Sequence, residues 1–80
     1  MEPINNYWTF IALRVKGHVP LSISSEKSPN NNTILTWQFD EDAEEDYEAW
    51  MRGDNSGEFR VVRAVQQAQS EVKSNVYRFK

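Results

Sequence analysis

The pattern of apolar and polar positions changes period once along the chain. Tyr7–Lys16 (YWTFIALRVK) is aromatic and branched, with no interior Gly or Pro, which predicts a long strand. Ile11, Leu13 and Val15 would share one face, and Phe10, Ala12, Arg14 and Lys16 the other. Gly17-His18 then suits a type II′ hairpin turn, because glycine accepts positive φ without steric cost. Val19, Leu21 and Ile23 alternate with Pro20, Ser22 and Ser24. This predicts a half-buried strand, placed at an edge because Pro20 cannot donate to a ladder. Glu26–Asn32 is a polar loop, and Thr33–Phe39 (TILTWQF) predicts a third strand with Leu35, Trp37 and Phe39 inward.

At Asp40 the period shifts from 2 to 3.6. Asp42 followed by Glu45 reads as a capping-box start. Ala43, Tyr47, Trp50 and Met51 form an apolar stripe, and Gly53 ends that helix. Asp54–Gly57 is a turn, after which Val61, Val65, Ala68 and Val72 mark a second helical stripe with Val62 beside it. Val76–Lys80 alternates again, compatible with a short terminal strand or a helix end. The expected fold is α+β: an antiparallel sheet of three to four strands with two helices packed on one face, in the order β-β-β-α-α. The helices are expected near 43–52 and 57–73.

Eighty residues predict a single domain over 1–80, and a small one. A chain this short buries only about 60–65% of its unfolded surface, so each large apolar residue matters to the core. Three tryptophans and 39% apolar residues suffice for one core. There is no cysteine, which excludes disulfide frameworks, thiolate catalysis and cysteine-ligated zinc, and fits a reducing cytoplasm. The longest apolar stretch, Tyr7–Val15, is too short to span a bilayer.

The net charge of −3 is unevenly spread. Residues 1–39 carry a net +1 and residues 59–80 a net +4, while residues 40–58 hold nine acids against Arg52, a net −8. Seven of those acids lie in Asp40–Glu48. Acids at a helix start complement its dipole and solvate an exposed face. The same run is also a candidate mimic of the nucleic-acid backbone, with Glu41, Glu44 and Glu45 as its exposed surface. It lacks the alternating oxygen ligands and turn glycine of a calcium loop, so no metal site is expected.

No nucleophile–base–acid set is legible. His18 is the only histidine and stands in a turn, and Gly17, Gly53 and Gly57 are too scattered to cradle phosphate. We therefore expect no catalytic residues, no cofactor and no enzyme activity, and a protein that acts by binding a macromolecule.

Within the second half, Phe39-Asp40, Glu48-Ala49-Trp50-Met51-Arg52-Gly53 and Ser56-Gly57-Glu58-Phe59-Arg60-Val61-Val62-Arg63-Ala64-Val65 follow one another. This order resembles a small phage-encoded type I-F anti-CRISPR family. Ile11-Ala12-Leu13 and Gly17 add a weaker upstream match, so the resemblance covers about residues 10–66. It implies a four-stranded antiparallel sheet packed on two helices, and a monomer in the cytoplasm of a bacterial host. The implied partners are the Cas backbone subunits of a crRNA-guided surveillance complex, from which target DNA is excluded, with no direct nucleic-acid or membrane contact. The implied contact surface is the sheet, carrying Arg14, Lys16 and Glu26. Arg14 stands where the family has a tyrosine. The alternative is an acidic decoy that competes with nucleic acid through Asp40–Glu48.

Overall fold

In the computed structural model, residues 1–75 are described. The expected terminal strand at Val76–Lys80 lies outside them. The order is α1 (Tyr7–Val15), β1 (Ser22–Lys27), β2 (Thr33–Gln38), a 3₁₀ turn at Glu41–Ala43, α2 (Glu44–Met51) and α3 (Gly57–Asn75). The fold is α+β, but the expected β-β-β-α-α order is wrong in its first element and in the size of the sheet.

Tyr7–Val15 is a helix. The Asn6 side chain accepts from Thr9 N at 3.1 Å, which satisfies one of the N–H groups a helix start leaves unpaired. Gly17 follows the C-cap Lys16 with φ +96°, so its freedom ends a helix and does not turn a hairpin. Thr9, Ala12 and Leu13 are buried at helical spacing. The run looked like a strand because both sides of α1 are covered, which erases the polar stripe that reveals an amphipathic helix.

α1 is the centre of the molecule. On one side Leu13 packs with Ile4, Trp37, Phe39 and Ala43, and Phe10 stacks on Trp37 with ring centroids 4.3 Å apart. On the other, Ala12 meets Trp50, Phe59 and Val62, with Trp8 and Ile11 at the margin. α2 and α3 thus pack on a helix, where packing on a sheet was expected.

Among the described residues the sheet has two strands, antiparallel, with Ile23 opposite Trp37 and Ser25 opposite Leu35. Ile4 forms a single bridge to Trp37 on the other side of β2, with both backbone N–H···O bonds at 2.8 Å. β2 is therefore paired on both sides at Trp37, and among the described residues β1 pairs with β2 alone. Trp37 and Phe39 are buried as expected, but Leu35 is exposed, as are Val19, Leu21 and Ile23. β1 has lost its expected partner strand to α1, and α1 covers only the β2 side.

The two later helices fall where the period predicted them. The start of α2 differs in detail. Asp40, not Asp42, caps the 3₁₀ turn, accepting from Glu41 N at 2.6 Å, and Ala43 precedes α2 without a side-chain cap. Gly53 takes the left-handed conformation expected of it, φ +90°. Asp54 accepts from both the backbone N–H and the hydroxyl of Ser56, which shapes the turn into α3. Among the described side chains of α3, Phe59 and Val62 are the buried ones; the Val61, Val65 and Val72 stripe is exposed.

Candidate interaction surface

The surface expected on the sheet does not form as one face. Arg14 lies in the last turn of α1 and donates to the His18 carbonyl at 3.0 Å. Lys16 follows that helix and pairs with Glu58 at 3.3 Å and Asp46 at 3.9 Å. Glu26 alone is on a strand, near the end of β1, opposite Ile34. The sequence signal for a shared face was the period-2 reading of residues 7–16, and it fails with that strand.

The acidic run holds together. The side chains of Asp40, Glu41, Asp42, Glu44, Glu45 and Glu48 are on exposed residues along the 3₁₀ turn and α2. Among the described residues, no cation pairs with Glu41, Glu44, Glu45 or Glu48. Glu44 and Glu45 stand in the first turn of α2, where they complement the positive end of its dipole.

Two of the acids do something else. His18 Nε2 lies 2.6 Å from Asp46 Oδ2, and Nδ1 lies 3.9 Å from Asp42 Oδ1. The imidazole sits between two carboxylates and ties the turn after α1 to α2. Both ring nitrogens face acids, so neither is aimed at a hydroxyl nucleophile. Lys16 extends the cluster from Asp46 to Glu58. The Glu58 carboxyl is held below its ordinary value, first by its own backbone N–H and then by the Lys16 ammonium. Sequence reasoning missed this cluster because its members are 28 and 42 residues apart.

The clasp has a consequence for the neighbouring surface. It anchors the start of the segment that runs from Val19 into β1 to Asp46 of α2. Leu21 donates its N–H to the Gln38 carbonyl at 2.7 Å, two residues before Asp40. Val19, Leu21 and Ile23 are large, apolar and exposed. The segment after His18 thus carries exposed apolar side chains, and the segment it is tied to carries exposed acids; apolar contact area and charge are the two ingredients of a protein-docking surface.

A cleft of about 350 Å³ opens elsewhere, between the N-terminal segment and the three helices, lined by Asn6, Trp8, Tyr47, Trp50, Arg63 and Gln66 among others. Arg63 is occupied by carbonyls, donating to Asp54 O at 2.8 Å and Trp50 O at 2.7 Å, so it is not free for an anion. Among the described residues no group of three or more acids or histidines is arranged to hold a metal, and no helix is long and apolar enough to cross a membrane.

No family model, curated protein or solved structure matches the chain.

Proposed function

We propose that the protein is an inhibitory binding protein that docks on the basic, nucleic-acid-binding surface of a protein partner and keeps nucleic acid off it. The observation that carries this reading is the exposed acidic run Asp40–Glu48, to which the turn after α1 is tied through His18 on Asp46 and Asp42, with Val19 and Leu21 exposed just after His18 in the chain. A surface built to receive phosphates is basic, so an acidic ridge is complementary to it. The apolar strip supplies what charge alone does not. Exposed charges steer encounter and are screened by salt, whereas desolvated apolar contacts slow dissociation. The anti-CRISPR-like order of residues 39–65 makes the backbone subunits of type I surveillance complexes the first partners to test. The contact surface proposed is the ridge and hairpin, in place of Arg14, Lys16 and Glu26.

The test is binding to purified type I surveillance complexes by interferometry at low and high salt, with target DNA as competitor. Changing Glu41, Glu44 and Glu45 together to Gln is expected to slow association and flatten the salt dependence. Changing Val19 and Leu21 together to Ser is expected to speed dissociation. If neutralisation removes all binding and the apolar changes do nothing, the protein is a charge decoy. If neither set alters binding, the proposed surface is wrong.

A further inference from the structure

α3 turns its apolar side away from its own core. Phe59 and Val62 face inward, but that side continues as Arg63, Gln66, Ser70 and Lys73. The apolar line lies elsewhere: Val61 is 65% exposed, Val65 45% and Val72 66%, with Ala68 exposed between them. At 3.6 residues per turn these four fall within an arc of about 60°, roughly 120° from the Phe59/Val62 side. Their spacing of four, three and four residues is that of a helix–helix seam. None is charged, and no described element covers them.

We propose that α3 pairs antiparallel with α3 of a second copy, making the protein a symmetric dimer. A two-fold interface must be self-complementary, and this stripe is. In the register that sets Val61 opposite Val72 of the second copy, Val65 falls opposite its Ala68, a branched side chain against a small one. The same register brings Arg60, exposed beside the stripe, next to Glu71 of the second copy, twice over by symmetry. Opposed helix dipoles favour this orientation over the parallel one. The strip is only about 16 Å long. It is smaller than the roughly 800 Å² per partner of a standard stable interface, so the dimer is weak and forms with concentration. This departs from the monomer expected from the sequence, and it does not depend on the proposed partner.

Sedimentation velocity on the full chain tests it. The expected result is a monomer–dimer transition within the micromolar range, with Val65→Glu remaining monomeric at every concentration while its circular dichroism stays that of the wild type. Because the chain has no cysteine, crosslinking reports orientation cleanly. Val61→Cys with Val72→Cys is expected to give a covalent dimer under mild oxidant, and Val61→Cys alone is expected not to. A wild type that stays monomeric throughout, or a dimer unaffected by Val65→Glu, overturns the proposal. A covalent dimer from Val61→Cys alone overturns the antiparallel arrangement.

Discussion

The guanidinium of Arg63 lies over the ring of Trp50, 3.9 Å from its centroid, while its Nη2 donates to the Trp50 carbonyl. One side chain thus covers the indole and adds a second donor to a carbonyl at the end of α2 that already accepts from Gly53 N–H at 3.1 Å. Its Nε–H, donating to Asp54 O, pins the following turn as well.

Arg63→Lys keeps the charge but loses the planar fork and the stacking, so it is not a conservative change here. It is expected to cost about 1–3 kcal/mol, the range of charge-assisted hydrogen bonds lost together with a partner. Urea denaturation checks this; a loss below about 0.5 kcal/mol, the ordinary surface value, would mean the fork is dispensable.

Asn6→Ala tests the element that the sequence pattern misassigns. Losing the N-cap of α1 is expected to cost about 1 kcal/mol, as cap removals do, and Asn6→Asp is expected to retain most of it. If Tyr7–Lys16 were a strand, Asn6 would sit in a loop and neither change would matter. Thermal melts of the two variants side by side separate the cases.

Trp50→Ala and Leu21→Ser are expected to part company. Trp50 is buried against Phe59, ring centroids 5.4 Å apart, and its truncation is expected to cost about 3–5 kcal/mol. Leu21 is 67% exposed, so its replacement is expected to stay within about 0.5 kcal/mol. Equal losses in denaturant titrations would show that the start of the hairpin is covered after all.

Asp54 gives the acid limb of stability a defined contributor. Its carboxyl is held below its ordinary 3.8, first by the Ser56 hydroxyl and then by the Ser56 N–H and the charges of Arg52 and Lys16, partly offset by desolvation. A depressed folded-state value means that the unfolded chain binds the proton more readily. Its stabilisation is therefore complete above 3.8 and is lost as pH falls through the lowered folded value. Glu58 acts in the same direction below its ordinary 4.5. Ser56→Ala is expected to move the Asp54 titration back toward 3.8 and to make the acid limb shallower. Carboxyl carbon shifts followed by NMR across pH 2–6 read this directly; an unmoved Asp54 would exclude the hydroxyl as the cause.

Several parts of the molecule follow from local sequence alone. The helices α2 and α3 follow from the apolar period after Asp40 and from Gly53, because capping and amphipathic spacing are local effects. The burial of Trp37, Phe39 and Trp50 follows from size and alternation, and the acidic ridge from composition. The bracketing signals of α1 were present too, Asn6 before it and Gly17 after it, with ten residues between them. What they bracket is apolar on nearly every side, and a short run of that kind has no period to distinguish helix from strand. Only tertiary packing decides it. A central helix can be covered by the hairpin on its Leu13 side and by α2 and α3 on its Ala12 side, and that arrangement takes residues 7–15 away from the edge of β1. The same packing carries Arg14 and Lys16 off the sheet, closes His18 onto Asp46 across 28 residues, and directs the Val61–Val72 stripe outward. Each of these depends on which surfaces meet, which is a relation between distant segments that no local window of sequence contains.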